Sequence, residues 1–160
     1  MEKEKPGFDV ATMNPPLVFG PIVHYLNSLG SLNTSNERIR DLIQGKITDD
    51  VLPPTGTFLW IDVRDLALAH IRAIEVPEAG GKRFFVTAGP FSNKIIVDLI
   101  RQTHPALSSK LPKNPIDDTP ADVYGYDNSQ TAQVLGITFR SLKQCVGDTV
   151  DSLLKVGAQM

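Results

Sequence analysis

The 160-residue sequence contains twelve glycines, yet none of them forms a Gly-x-Gly-x-x-Gly or Gly-x-x-Gly-x-x-Gly motif. A glycine-rich turn of this kind allows the backbone to approach a pyrophosphate at the N-terminus of a helix. No other segment of the sequence offers an equivalent turn. The sequence therefore excludes the usual dinucleotide phosphate-binding turn from this chain.

The three tyrosines also lack a partner that would prepare them for proton transfer. A lysine one helical turn after a tyrosine would lower the pKa of its hydroxyl. The residues that stand four positions after Tyr25, Tyr124 and Tyr126 are Leu29, Asn128 and Gln130. The sequence thus predicts no catalytic residue, and we expect the chain to be inactive when it is alone.

Disulfides, long apolar runs and strong charge are missing as well. Cys145 is the single cysteine, which excludes an internal disulfide framework and fits a reducing compartment. No apolar run approaches the roughly 20 residues that a membrane span needs, and residues 1–6 are charged, unlike a secretory signal. The net charge of −2 offers no basic surface for nucleic acid or membrane. We expect a cytoplasmic protein.

The three histidines, His24, His70 and His104, are too scattered in the sequence to suggest a metal site. His70 lies on the apolar side of a predicted helix, so we expect it to be a hydrogen-bonded histidine of the core. Cys145 lies within the apolar positions of the last predicted helix and is most simply a small core residue. We therefore predict no metal ligand in this chain.

The remaining composition and patterning are typical of one α/β domain. The sequence is 41% hydrophobic and 21% charged, which is ordinary for a globular protein. Apolar runs predict strands at residues 8–13, 17–19, 58–61 and 83–87. Caps and helical spacing predict helices from Thr34 (with Glu37 as a capping box) to about Gly45, 62–75, 92–104, 127–136 and 141–155. We expect the helix that starts at Ser141 to bury its apolar positions, which are Leu142, Val146, Val150 and Leu153.

Five stretches, taken in order, resemble one family. They are FDVATMNPPLVFGP, LNTSNERI, IDVRDLALAHI, KRFFVTAGPFS and YDNSQTAQVLGITFRSLKQCVGDTVDSL. The chain is similar to the C-terminal half of extended short-chain dehydrogenase/reductases, in the fungal aldehyde, methylglyoxal and carbonyl reductase branch. The resemblance implies the C-terminal part of a Rossmann-type parallel sheet together with a small substrate-binding lobe. It also implies NADPH as cofactor and a small aldehyde or ketone as substrate.

The resemblance divides the chain into structural parts and points to three cofactor contacts. Residues 1–21 and 82–90 correspond to the last Rossmann strands, while 22–81 and 91–160 form mostly the substrate lobe and flanking helices, within a single partial domain. In the family, the segment that matches Pro15 and Leu17 lies against the nicotinamide carboxamide, and the residue that matches Ser35 lies near the cofactor phosphates. From the residues alone, a rigid strand exit and a plain helix cap explain the same positions.

The same resemblance makes this chain look like a truncated member, since the family places its glycine turn and its Ser/Tyr/Lys set upstream of the matched region. Residues 8–13 would then be an apolar strand whose neighbour on one side is absent, and such an edge favours association. We expect self-association or a complementing N-terminal half. Two functions stay open, namely a portion of an NADPH-dependent reductase or a non-catalytic binding or assembly module derived from one.

Overall fold

The computed structural model describes residues 7–26 and 28–158, which form an α/β fold. No helix in this part of the chain is long and apolar enough to cross a bilayer. Short 3₁₀ turns at Leu29–Ser31, Pro77–Ala79 and Pro105–Lys110 connect the larger elements. The strands are β1 (Thr12–Asn14), β2 (Leu17–Phe19), β3 (Leu59–Asp62), β4 (Arg83–Phe85) and β5 (Gly89–Pro90), and the α-helices are α1 (Thr34–Ile43), α2 (Val63–Glu75), α3 (Asn93–Thr103), α4 (Ser129–Leu135) and α5 (Leu142–Ala158).

The strands form two small sheets. In the first, β1 pairs with β4 in parallel, with Met13 opposite Phe84. In the second, β2 pairs with β3 in parallel, and β3 pairs with β5 in an antiparallel sense. The expected side-by-side parallel pairing of the segments 8–13 and 83–87 is therefore confirmed.

The bounds of the first strand differ from the prediction. Residues 8–11 are not part of β1, which begins at Thr12 and continues to Asn14. Phe8 is 72% exposed and Val10 is 57% exposed, so the first half of the predicted strand is neither a strand nor buried. An apolar run predicts a buried strand only where neighbouring elements cover it, and here they do not.

Two apolar cores hold the fold together. The larger core lies between α1, α3, α5 and β2, and it contains Phe19, Ile39, Ile96 and Val150. Within it the rings of Phe19 and Phe91 meet edge to face, with 5.1 Å between their centroids. The smaller core lies between the β1–β4 sheet, α2 and α4, and it includes Phe84 and Leu135.

Helix starts follow the predicted caps with one exception. Asp62 accepts a hydrogen bond from the backbone N–H of Arg64 at 2.8 Å, and Ser92 accepts one from that of Ile95 at 3.4 Å. Helix α1 begins at Thr34 as predicted, and the residue at its N-cap position, Asn33, makes no side-chain cap hydrogen bond. The expected capping box does not form, because the Glu37 carboxylate pairs with the Arg40 guanidinium at 3.2 Å.

Helix α5 carries the most complete apolar stripe of the chain, and most of it is buried as predicted. Val146, Val150 and Leu153 are buried, as is Cys145, so its assignment to the core is confirmed. Leu142 is only half-buried, because it opens the helix at the edge of the larger core. The helix ends at Ala158, a little beyond the predicted end.

The prediction that His70 belongs to the core is wrong. Its side chain is exposed on α2, and its Nδ1 lies 2.8 Å from the carbonyl oxygen of Leu66. The apolar side of α2 is wider than the surface that packs against it. Helical spacing therefore predicted the face of α2 on which His70 lies, but it did not report whether that face is buried at this position.

Candidate functional site

A cavity of about 280 Å³ opens where β2 ends. Its floor is the segment 18–24, which leaves the strand and turns away from the sheet. Its walls come from Asn33 and Asn36 at the start of α1 and from Val63 at the start of α2. Ligands of open parallel sheets bind outside the carboxyl ends of strands, so this cavity is the candidate site.

Gly20 determines how closely the strand exit approaches α2. Its φ is +139°, a conformation that side chains rarely allow, and a Cβ atom there would lie 2.6 Å from Cγ1 of Val63. Any larger residue would push the end of β2 away from the start of α2. The cavity thus depends on a glycine at this position.

Asn36 supplies the most informative polar group of the cavity. Its side chain is only 5% exposed, and its Nδ2 donates a hydrogen bond to the carbonyl oxygen of Gly20 at 2.9 Å. Its Oδ1 is buried and has no hydrogen-bond partner among residues 7–26 and 28–158. A buried acceptor without a partner carries a desolvation cost of about 1–3 kcal/mol. A donor that reached this oxygen would offset that cost.

The charged groups beside the cavity have structural partners. The buried carboxylate of Asp62 accepts hydrogen bonds from the Arg64 side chain at 2.9 and 2.7 Å, and Arg64 also contacts Asp148 at 2.6 Å. Burial raises the pKa of Asp62, but the bonds from Arg64 outweigh it and hold that pKa below the usual value. Asp65, which is also buried, pairs with Arg140. These ion pairs therefore connect α2 with α5 and with the segment just before α5, and neither carboxylate lines the cavity.

Cys145 is not a nucleophile in this environment. Burial raises the pKa of its thiol strongly, and the neighbouring Asp62 carboxylate raises it further. Only the thiolate form of cysteine is reactive. Over residues 7–26 and 28–158, no cluster of His, Cys, Asp or Glu side chains is arranged to hold a metal ion.

None of the three predicted cofactor contacts is among the residues that line the cavity. Pro15 is exposed between β1 and β2. Leu17 is half-buried in β2, opposite Trp60 and against the larger core. Ser35 is half-buried in the first turn of α1. Their contacts with a cofactor stay predictions.

Sequence reasoning missed Asn36 as a site residue. It stands next to Ser35, and the sequence shows only three consecutive residues of the type that opens helices. The distinguishing feature is its bond to Gly20, which lies 16 residues earlier in the chain. An asparagine in the first turn of a helix that follows a Gly-Pro strand exit is the signal that would have suggested it.

The aromatic residues do not form one shared pocket. Phe19 and Trp60 are buried in the larger core, whereas Tyr25, Tyr124 and Tyr126 are exposed. The hydroxyl of Tyr124 accepts a hydrogen bond from the backbone N–H of Phe58 at 2.9 Å. Most of these rings therefore belong to the core or to its rim.

Comparison with known proteins identifies close relatives. The chain is 52% identical over 156 residues to a ketoreductase of Aspergillus niger, covering 97% of this chain and 46% of that protein. It is 38% identical over 159 residues to a putative NADPH-dependent methylglyoxal reductase of Candida albicans, covering 96% of this chain and 46% of that protein. No protein-family model matches the chain.

A solved structure shows the same fold. The NADPH complex of Gre2 from Candida albicans superimposes with a TM-score of 0.84 and 32% identity, covering 97% of this chain and 46% of that one. The chain thus spans about half the length of the relatives that it matches. In sequence and in fold, it corresponds to the C-terminal half of fungal NADPH-dependent reductases among the extended short-chain dehydrogenase/reductases.

Proposed function

We propose that this chain forms one wall of the cofactor and substrate site of an NADPH-dependent reductase of small aldehydes or ketones. The cavity at the end of β2 would take the nicotinamide end of the cofactor and the substrate beside it. The cofactor, when bound, supplies the hydride. The residues of this chain would position it and exclude water.

The observation that carries the proposal is the buried Oδ1 of Asn36, for which the described part of the chain supplies no hydrogen-bond donor. The cavity is apolar near Val18, Ile22 and Val63, which suits a flat ring and a small carbonyl compound. An amide or hydroxyl donor of the bound group would satisfy the free acceptor. Pro15, Leu17 and Ser35 would complete the contacts along the strand exit and the first turn of α1.

We further propose that the chain does not reduce carbonyl compounds by itself. The sequence holds neither a glycine-rich phosphate turn nor a tyrosine with a lysine four residues later. Without the first, the pyrophosphate lacks its usual binding site, and without the second, no group of this type delivers the proton. Incubating the purified chain with NADPH and methylglyoxal should give no NADPH consumption above the rate without protein.

A chimera tests the proposed role directly. This chain would replace the matched 46% of the Candida albicans methylglyoxal reductase, and NADPH oxidation would be followed with methylglyoxal. We expect an active chimera whose kcat/KM falls about tenfold in the Asn36→Leu variant, in line with the loss of one hydrogen bond. Asn114→Leu, the same change at an exposed asparagine, should leave kcat/KM unchanged.

Two results would contradict the proposal. A chimera that folds, by circular dichroism, but oxidises no NADPH with small aldehydes or ketones would refute the reductase role. An Asn36→Leu chimera as active as the unchanged one would refute the role of Asn36.

A non-catalytic module derived from a reductase is the second candidate, and the exposed apolar residues beside β1 favour it. The inactive, folded chimera is the result that this second candidate predicts.

A further inference from the structure

A second cavity, the α1–α3 cavity, opens between α1, the start of α3 and the segment that connects α1 to β3. Its volume is about 190 Å³, and it shares no lining residue with the cavity at the end of β2. Leu42, Ile47 and Leu52 supply apolar walls, and Arg38 and Asp41 supply charged groups. Apolar walls with a few fixed polar groups are typical of small-molecule sites.

Arg38 differs from the other buried and half-buried arginines in its partners. Each of those five has a carboxylate within 4 Å, and they are Arg40, Arg64, Arg72, Arg101 and Arg140. Arg38 is half-buried as well, yet no carboxylate of residues 7–26 and 28–158 lies within 4 Å of its guanidinium. Removing a charge from water is costly unless a counter-ion compensates for it. The described chain therefore supplies no direct counter-ion for Arg38.

Neutral groups hold the Arg38 guanidinium in place. Its Nη1 donates a hydrogen bond to Oδ1 of Asn93 at 2.8 Å and lies 3.5 Å from the carbonyl oxygen of Thr55. Its Cζ lies 6.0 Å from the ring centroid of Phe19 and 5.7 Å from that of Phe91, which is within the range of cation–π attraction. Because these contacts fix the charge before a ligand arrives, they reduce the ordering cost of binding.

The other two guanidinium nitrogens of Arg38 have no acceptor among the described residues. Nε is buried, whereas Nη2 is not enclosed and is the donor that a ligand can reach. Burial lowers the pKa of Arg38, and the Asp118 carboxylate raises it by less. The charge is thus partly desolvated, and an anion that accepted a hydrogen bond from Nη2 would offset this cost.

The two nearby carboxylates, Asp41 and Asp118, are engaged by other groups. Oδ1 of Asp41 accepts from Nε of Arg40 at 2.8 Å and from Nζ of Lys46 at 3.2 Å. Asp118 accepts from the backbone N–H and from the hydroxyl of Thr55, both at 2.6 Å. A ligand is therefore the source from which this cavity can obtain a counter-ion.

We propose that the α1–α3 cavity binds a small organic carboxylate, with its carboxylate on Nη2 of Arg38 and its apolar body against Leu42 and Leu52. Guanidinium groups recognise carboxylates well because their planar donors match carboxylate geometry. Burial of a hydrocarbon body against the apolar walls adds affinity that a small inorganic anion cannot gain. This site lies apart from the cavity at the end of β2, so the inference does not rest on the proposed function.

Calorimetric titration of the full chain with benzoate tests the proposal, with benzamide, which is uncharged, and inorganic phosphate titrated alongside. Two variants change the cavity. Arg38→Met removes the charge and keeps an apolar stem, and Pro54→Glu adds a carboxylate to the lining at an exposed residue. The matched controls are Arg83→Met and Pro120→Glu, which make the same changes at exposed residues outside the cavity.

We expect saturable 1:1 binding of benzoate, at least about tenfold tighter than that of benzamide or phosphate, since benzoate alone combines the charged hydrogen bond with an apolar body. Arg38→Met and Pro54→Glu should each weaken benzoate binding at least about tenfold, and both controls should leave it unchanged. If thermal unfolding shows that Arg38→Met is not folded, Pro54→Glu decides alone. Absence of saturable benzoate binding, benzamide binding of equal strength, or benzoate binding that Pro54→Glu does not weaken overturns the proposal. Phosphate binding as tight as that of benzoate overturns the assignment of an organic carboxylate.

Discussion

The two sides of this molecule differ in how completely they are covered. On one side, α1, α3 and α5 close around a core in which Phe19, Ile96 and Val150 are fully buried. On the other side, α2 packs on the β1–β4 sheet through a smaller core, and Ile71 and Ile74 remain exposed. On the first side, elements of the described chain cover the core, whereas the second side leaves apolar side chains of α2 exposed.

This difference shows what an amphipathic pattern does and does not report. Helices α2 and α5 both carry apolar residues at helical spacing. In α5 the stripe is buried at Val146 and Val150, whereas in α2 it extends past the sheet to Ile74. The spacing of apolar residues shows which face of a helix is apolar and suited to burial. Whether that face is buried depends on other elements of the tertiary structure, which the spacing does not report.

Removing a ring from the covered side should have the largest effect. Phe91 is buried and contacts Phe19 edge to face. We expect Phe91→Ala to lower the free energy of unfolding by about 3–5 kcal/mol, because it leaves a cavity in a packed core. Urea denaturation measures this. Phe8→Ala, the same change at an exposed ring on the open side, should cost less than about 0.5 kcal/mol, and similar losses for both variants would contradict the comparison.

A pH experiment probes the junction between the two sides, where Asp62 caps α2 and binds Arg64. Because the pKa of Asp62 is lower in the folded state, its carboxylate stabilises the fold above the unfolded pKa of about 3.9. That contribution is lost as the pH falls through the folded pKa. We expect Asp62→Asn to cost about 2 kcal/mol at pH 7. Below pH 4 the free energy of unfolding of the Asp62→Asn variant should fall less steeply with pH than that of the unchanged chain. Equal pH dependences, measured by urea denaturation, would contradict a lowered pKa of Asp62 in the folded state.

Much of the fold was predictable because its signals are local. Caps at Asp62 and Ser92, the stop at Gly136 and the parallel pairing of β1 with β4 all appear as expected. The errors at Phe8, Val10 and His70 have tertiary causes, because their exposure depends on which elements cover them. Helix α1 starts at Thr34 as predicted, but its expected capping box does not form, since Glu37 pairs with Arg40 in the same helix.

The candidate site was less predictable than the fold. The expected contacts Pro15, Leu17 and Ser35 do not line the cavity, whereas Asn36, whose buried Oδ1 has no hydrogen-bond partner among the described residues, does. Its role depends on Gly20, which lies on another element. A contact between residues 16 positions apart in the sequence has no local pattern, so only the fold reveals it.

A methyl group added at the strand exit should have a moderate effect. Gly20 has a φ of +139°, and a Cβ would lie 2.6 Å from Cγ1 of Val63. We expect Gly20→Ala to destabilise the chain by about 1–3 kcal/mol through backbone strain and this clash. Gly125→Ala, where a Cβ meets open space, should change stability by less than about 0.5 kcal/mol. Thermal or urea unfolding measures both, and a neutral Gly20→Ala would show that the cavity does not depend on this close approach.

The smallest effect is expected at the exposed residues of α2. A substitution there tests most directly how the exposed and the buried side of the molecule differ. Ile71→Ala removes an exposed side chain from a helix and introduces the residue with the highest helix propensity. Its effect on the free chain should therefore lie within about 0.5 kcal/mol of zero. Ile96→Ala makes the same change at a buried position of α3 and should cost about 2–5 kcal/mol. Urea denaturation of both variants gives the contrast directly. If Ile71→Ala destabilised the free chain as much as Ile96→Ala, the residue would already be covered in solution. Ile71 would then be covered either by another part of this chain or by a second copy of it.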